Sequence, residues 1–286
     1  MVGAIALSAA VAGCAAKPPT AERRPPKEGM AGTDIAVPPF ARDAYEPISA
    51  ESVVAIAMRE WRLFGQPIDD DPPGTRPPPP PDQKPEREPG LWQRVGEYWW
   101  TALGPDARQG AWTGKHDSTG YVFPADEDGK YAWSAAFISY VMRIAGAENR
   151  FPYSENHSDY INIARESGPG SLLTAERLTD YAPVPGDLIC EGRGRRGARL
   201  TFDDLPTDFR FPAHCDIVVA RQGEAISVIG GNVDDAVTMK HVPVTPDGKL
   251  ATPDGTVLDT RYAWLTVIRV NYPGTPAPAT PPGPTS

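Results

Sequence analysis

The sequence predicts an α+β domain in which N-terminal helices pack on an antiparallel sheet. Two observations predict this class. Apolar residues recur at helical spacing in the first part of the folded region, and strand-like apolar runs bounded by turn residues follow from Asp187 onward. Helices that precede strands, instead of alternating with them, are typical of an antiparallel sheet with segregated helices.

The N-terminal residues 1–14 are predicted to be a lipoprotein signal peptide. Their uncharged apolar run is too short to span a bilayer and ends in Val11-Ala12-Gly13-Cys14. Small residues directly before a Cys resemble a bacterial lipobox, which implies lipidation of Cys14 and attachment to the cell envelope. With Ala15 and not Asp after this Cys, the same resemblance implies the outer membrane, facing the periplasm. An ordinary N-terminal strand is the alternative.

Residues 15–48 and 271–286 are predicted to form a disordered tether and a disordered tail. Both are rich in Pro and Ala and poor in large apolar residues, so they bury too little surface to offset the entropy of ordering. The intervening residues 49–270 suffice for one domain with a core. The net charge of -9 argues against a nucleic-acid partner.

The first helices are predicted from capping residues and apolar periodicity. Ser49 precedes an apolar-periodic run that ends at Gly65, as expected for an N-cap and a helix end. Residues 67–90 form a Pro-rich excursion that is predicted to be solvated and polyproline-like. The next helix, Leu91–Leu103, carries an apolar and aromatic stripe, which is more often core than a glycan-binding groove.

The remaining elements are three helices and four strands. A helix at 131–145 stops at Gly146, a typical C-cap residue, and shorter helices are predicted at 157–165 and 175–181. Strands are predicted at 187–190, 214–220, 225–229 and 262–270.

Four motifs between residues 131 and 232 carry a family resemblance. The sequence YAWSAAF at 131–137 opens a helix, PGDLI follows at 185–189, and AHCDIVV at 213–219 precedes GGN at 230–232. This order resembles the papain-like peptidoglycan hydrolases of the NlpC and CHAP types. In those enzymes a Cys in the first turn of a helix is activated by a strand His, which a polar third residue orients. The resemblance implies a papain-like fold and a catalytic site of Ser134, His214 and Asn232, with Ser134 at the position of the Cys.

These residue types suit nucleophilic catalysis. A hydroxyl at a helix start lies near the positive end of the helix dipole and near free backbone N–H groups, but a serine also needs a hydrogen-bonded base. His214 is the candidate base, and strand alternation places Asp216 on the same face, where it competes with Asn232 to orient the imidazole. The structural alternatives are a capping role for Ser134 and a turn role for Asn232.

A second resemblance involves His157. The segment Asn156-His157-Ser158-Asp159-Tyr160, together with the motifs around Ser134, at 185–188 and at 214–215, resembles DUF2272, a family of bacterial envelope proteins without a settled activity. His157 is therefore a further candidate site residue, with a plain helix start as the alternative. The resemblance covers roughly residues 49–270.

The cysteines predict a disulfide. If Cys14 is lipidated, Cys190 and Cys215 remain, an even number in an oxidising compartment. The two corresponding strands are neighbours in papain-like hydrolases, so the resemblance implies a Cys190–Cys215 disulfide. Two buried thiols or a reactive Cys215 are the alternatives. The four histidines lack paired spacing and no phosphate-cradling Gly motif is present, so neither a metal nor a cofactor is predicted.

The resemblances lead to two functional hypotheses. The first is a lipid-anchored envelope amidase or peptidase that cleaves peptidoglycan stem peptides. The second is a catalytically inactive papain-like module that binds cell-wall peptides or a periplasmic protein. The insertion at 191–211, which begins basic and turns acidic, is either a substrate-selecting loop over the cleft or a solvated loop.

Overall fold

The computed structural model describes residues 47–274 except 78, 82, 128 and 129. The predicted signal peptide with Cys14, nearly all of the tether and most of the tail lie outside these residues. The domain is α+β with a six-stranded antiparallel sheet, as predicted. Within the described ranges, no helix is long and apolar enough to cross a membrane.

The helices precede most of the strands in the chain. The helices are α1 Ala50–Leu63, α2 Leu91–Leu103, α3 Ser134–Ile144, α4 His157–Glu166 and the short α5 Gly194–Gly197. The strands are β1 Leu173–Glu176, β2 Leu188–Gly192, β3 Ala213–Gln222, β4 Ala225–Val233, β5 Ala236–Pro243 and β6 Trp264–Val270. In the sheet they lie in the order β1-β6-β2-β3-β4-β5.

The first two helices form where capping and periodicity predict them. Ser49 is the N-cap of α1, and its hydroxyl accepts a hydrogen bond from the Ser52 N–H at 3.1 Å. On α2, the stripe residues Val95, Trp99 and Ala102 are buried in the main core. These three side chains are therefore part of the core and do not line a glycan-binding groove.

A buried carboxylate joins the three long helices. Glu60 on α1 is fully buried and accepts hydrogen bonds from Arg94 Nε at 2.6 Å and Tyr98 Oη at 2.7 Å, both on α2. Tyr140 on α3 donates to the same carboxylate at 3.2 Å. Burial raises the pKa of Glu60, but the hydrogen bonds from Arg94, Tyr98 and Arg59 outweigh it and leave the pKa lowered.

The sheet separates two hydrophobic cores. The larger core contains the inner faces of α1, α2 and α3 together with Cys215 and Ile217 of β3. The smaller core contains Val218 of β3 and Val228 of β4. Because side chains alternate along a strand, His214 and Asp216 share the face of Val218 and not that of the disulfide.

The structure differs from the predicted regular elements in two places. The helix predicted at 175–181 is preceded and partly replaced by β1, whose Leu173–Glu176 backbone pairs antiparallel with β6. Strand β5 was not predicted, although it pairs along β4 in the hairpin. Both strands depend on ladder hydrogen bonds to a neighbour, and tertiary pairing of this kind overrides local propensity.

The Pro-rich excursion is not solvated throughout. At its start, the Asp69 N–H donates to the Met239 carbonyl at 2.9 Å, and Ile68 forms an isolated bridge with Met239 on β5. At its end, Lys84 and Glu86 are buried. The prediction of a fully solvated segment is therefore wrong at both ends, because each end has polar partners on the domain.

The predicted disulfide is confirmed. Cys190 on β2 and Cys215 on β3 are directly opposite in the antiparallel register, and their sulfur atoms are 2.06 Å apart. Both residues are buried. The bond excludes the two alternatives for this pair, free buried thiols and a reactive Cys215.

Removal of this disulfide is expected to destabilise the domain by about 3 kcal/mol, because the bond closes a loop between residues 25 positions apart and so restricts the unfolded chain. Urea unfolding of a Cys190→Ala/Cys215→Ala double variant measures the loss, with reduced wild type as the matched comparison. A change below about 1 kcal/mol in both would show that the loop closure contributes little.

Candidate functional site

The start of α3 is held by the Pro-rich segment. Ser134 is the first residue of α3, and Trp133 is its N-cap. Trp133 is fully buried, and its indole Nε1 donates to Glu86 Oε2 at 2.6 Å. Burial and the nearby Asp235 raise the pKa of Glu86 to about 7. The backbone that presents Ser134 is therefore anchored by a side chain from residues 67–90.

Ser134 is hydrogen-bonded to a histidine. Its Oγ lies 2.7 Å from Nε2 of His157, the first residue of α4. The other ring nitrogen of His157, Nδ1, is hydrogen-bonded to the hydroxyl of Tyr160 one turn later on the same helix. All three side chains are largely buried, with Ser134 8% exposed. The starts of two helices thus meet in a serine–histidine–tyrosine arrangement.

The candidate base His214 is not the hydrogen-bond partner of Ser134. His157, predicted only as an additional site residue, occupies that position, because α4 begins beside the first turn of α3. His214 lies behind it, with the two imidazole centroids 5.2 Å apart. Ser134 therefore contacts His157, and His157 packs against His214, in place of the expected direct contact between Ser134 and His214.

His214 belongs to a buried charged chain that crosses three strands. Its Nε2 lies 3.1 Å from Asp216 Oδ1 on β3, and Asp216 Oδ2 lies 2.8 Å from Lys240 Nζ on β5. All three residues are fully buried. The contact between Asp216 and Lys240 is a buried ion pair, and no hydrogen bond to another described residue uses the remaining Nζ donors.

Burial and charge set the protonation states of this chain. Burial lowers the pKa of His214 to about 4, with the Arg193 charge acting in the same direction. Burial alone would raise the pKa of Asp216, but Lys240 and His214 outweigh it and lower the pKa. Burial, His214 and Arg193 together hold the pKa of His157 well below its usual value. Both histidines are therefore neutral at pH 7, and Asp216 is ionised.

Two glycines of β4 make this arrangement sterically feasible. A Cβ at Gly230 would lie 2.1 Å from Asp216 Oδ1 and 2.7 Å from His214 Nε2. A Cβ at Gly231 would lie 2.6 Å from Phe137 Cβ on α3. Without side chains at these positions, β4 can approach both the buried chain on one face and the site helix on the other.

Asn232 is not the residue that orients His214. It lies near the end of β4 at φ 57°, where the pairing register with β5 shifts between Gly230 and Val233. This is a bulge position at which Asn is tolerated, as in the turn interpretation of the motif. The carboxylate of Asp216, the rival candidate, contacts His214 instead. Asn232 lines a separate pocket beside Lys240.

The insertion at 191–211 is partly ordered by contacts with the domain. It begins within β2, contains the short helix α5, and buries Leu205. Thr207 N–H donates to Asn162 Oδ1 on α4 at 3.0 Å. At the start of the insertion, Arg193 Nε donates to Glu191 Oε1 at 2.9 Å. The segment therefore packs against α4, the helix that carries His157.

The protonation of His157 determines what the pair can do. If Tyr160 donates to Nδ1, the ring proton is on Nε2 and His157 donates to Ser134. If Nδ1 carries the proton, it donates to the Tyr160 oxygen and Nε2 accepts from the serine hydroxyl. Only the second tautomer can take the proton of Ser134 as a general base.

No group of three or more His, Cys, Asp or Glu side chains in the described ranges is arranged to hold a metal ion.

Fold and site together define an α+β domain with an antiparallel sheet and a serine–histidine pair at the starts of two helices. The family model "Uncharacterized protein conserved in bacteria (DUF2272)" matches residues 86–270, and the chain belongs to this family. The match includes Ser134, His157, His214 and Lys240. No curated protein and no solved structure matches the chain.

Sequence reasoning missed three residues of the site. Tyr160 is three positions from His157 on a predicted helix, and this spacing places both on one face, so the signal was present. Lys240 lies on β5, which was not predicted, so nothing marked it as a partner of Asp216. Glu86 lies in a segment whose composition predicts solvent exposure, which conceals its contact with Trp133.

Proposed function

We propose that this domain is a papain-like hydrolase of the bacterial cell envelope that cleaves an amide bond in peptidoglycan stem peptides. The observation that carries the proposal is the 2.7 Å hydrogen bond between Ser134 Oγ at the start of α3 and His157 Nε2. The resemblance of the sequence motifs to those of NlpC- and CHAP-type enzymes supports the papain-like fold and the substrate class in this proposal. Lipidation of Cys14 would hold the protein at the outer membrane, facing the periplasm.

In the proposed reaction, Ser134 Oγ attacks the carbonyl carbon of the scissile amide while His157 Nε2 takes the hydroxyl proton. His157 then gives this proton to the leaving amine as the C–N bond breaks, and water hydrolyses the acyl-Ser134 ester with His157 as base. Free N–H groups in the first turn of α3 are the candidate oxyanion donors. Tyr160 would hold the competent tautomer by accepting from Nδ1.

The burial of the pair favours a second candidate function. Ser134 is 8% exposed and His157 is 4% exposed, so a substrate carbonyl has little access to them unless the domain opens. A domain that does not open in this way would be a catalytically inactive module that binds cell-wall peptides or a protein partner. Digestion of purified peptidoglycan, with mass spectrometry of released muropeptides, tests the first candidate against the second.

The base assignment makes a separate prediction. In this digest, His157→Gln is expected to lower the rate about 10²–10⁴-fold, because the glutamine cannot take the serine proton. His214→Gln is expected to lower the rate less than about tenfold, since His214 packs against His157 and does not itself contact Ser134. Circular dichroism confirms that each variant is folded. A larger loss in His214→Gln than in His157→Gln would assign the base to His214, as the resemblance to NlpC- and CHAP-type enzymes implies.

A further inference from the structure

We infer that the pocket between the Pro-rich segment and the sheet is a binding site for a small zwitterion, such as a free dipeptide. The pocket has a volume of about 370 Å³, within the range of small-molecule sites. Six charged side chains line it, and they comprise three cations and three acids: Arg76, Arg193, Lys240, Asp69, Glu191 and Asp234. A lining that carries charges of both signs suits a ligand that carries both charges.

Free donors in the lining provide a site for a carboxylate. Lys240 Nζ is buried and directs one N–H group at Asp216 Oδ2, 2.8 Å away, while no hydrogen bond to another described residue uses the other two. Arg193 uses Nε for Glu191, and its two Nη groups have no partner in the described part of the chain. The Asn232 side-chain amide also lines the pocket. A guanidinium fork and an ammonium are the groups that bind a carboxylate.

An excess of acceptors on the Pro-rich segment and the β4–β5 turn provides a site for an ammonium. Arg76 Nη2 lies 3.1 Å from Asp69 Oδ1 and 2.8 Å from Asp71 Oδ2, and its Nη1 lies 3.6 Å from Asp234 Oδ2. One cation is therefore shared by three carboxylates. Burial and the nearby Asp69 raise the pKa of Asp234, as expected where negative charge is undercompensated.

Several observations favour a carboxylate over a doubly charged anion. The buried Glu191 lies within the same lining and would repel a second negative charge. Asp69 and Asp234 add further negative charge to the lining. The pocket is close to the serine–histidine pair, because its lining residue Lys240 contacts Asp216, which in turn contacts His214 beside His157. Binding itself requires no hydrolysis, so this inference is independent of the proposed reaction.

Titration calorimetry with alanylalanine tests the inference on the full chain carrying Ser134→Ala, which removes the proposed nucleophile and leaves the pocket lining intact. Saturable binding is expected for alanylalanine. Loss of about tenfold or more in affinity is expected for the C-terminal amide and for the N-acetyl form, because each lacks one of the two charges. Inorganic phosphate is expected not to compete.

Variants locate the site. Arg193→Ala is expected to weaken alanylalanine binding about tenfold or more. Asn232→Gly, which keeps the positive φ while removing the amide, is expected to weaken it less. Arg195→Ala is the matched control, because it removes the same charge from an exposed neighbour outside the lining. Absence of saturable binding, equal affinity for the amide, competition by phosphate, or an unchanged affinity in Arg193→Ala would each overturn the inference.

Discussion

Replacement of Ser134 with alanine is expected to lower the rate of muropeptide release by about four orders of magnitude or more, because no other group can form the acyl intermediate. Ser134→Cys is expected to retain activity, since a thiol is more acidic than a hydroxyl and His157 Nε2 lies within hydrogen-bond distance of this side-chain position. Digestion of purified peptidoglycan by the three proteins, followed by mass spectrometry, measures both effects and identifies the bond.

The matched control for this experiment is Ser139→Ala. Ser139 is a buried serine on the same helix, but its hydroxyl donates to the Ser154 carbonyl at 3.0 Å and does not contact the histidines. Its loss is expected to affect stability and not turnover. Products from Ser134→Cys alone would favour a binding module that retains an ancestral site, and equal products from wild type and Ser134→Ala would refute the serine mechanism.

Lys240→Met is expected to destabilise the domain by about 3–5 kcal/mol, because it leaves the fully buried carboxylate of Asp216 without its cation. Guanidinium unfolding at pH 7 measures the loss. In wild type, the lowered pKa of Asp216 means that its ionised carboxylate stabilises the folded state above the unfolded-state pKa of about 3.9. This stabilisation is lost as the pH falls through the pKa of Asp216 in the folded state. The deficit of the variant is therefore expected to shrink as the pH falls below about 4.

Two further variants separate the ion pair from general disruption of packing. The double variant Lys240→Met/Asp216→Asn is expected to recover at least half of the lost stability, because no unpaired charge remains and the amide can still contact His214. Lys249→Met breaks a partly exposed pair with Asp247 at 3.1 Å and is expected to cost less than about 1 kcal/mol. A double variant no more stable than Lys240→Met would show that the loss comes from packing alone.

Local signals predicted much of the fold. The N-cap Ser49 and the apolar periodicity of α2 lie in the sequence positions that they organise, so the bounds of both helices follow from short-range chemistry. Strand β1 and strand β5 depend on partners distant in sequence, β6 and the preceding hairpin strand respectively. Short segments of this kind carry no reliable signal of their own.

The candidate site, too, was predictable from the sequence only in part. The sequence indicated Ser134 at a helix start, His214 and Asp216 on one face of a strand, and Cys190 with Cys215 as partners. It did not indicate which histidine contacts the serine, because that depends on how α4 docks beside α3.

The sequence by itself therefore determined the α+β class, the candidate residues and the disulfide pair. These follow from residue types, periodicity and motif order, all of which are properties of neighbouring positions. Only the tertiary structure decided that His157 contacts Ser134, that Asp216 bridges His214 and Lys240 across Gly230, and that Asn232 lines a separate pocket. The physical reason is that the Ser134–His157 and Asp216–Lys240 contacts join segments distant in sequence. Their approach is set by the packing of helices and strands and by Gly230, which has no side chain.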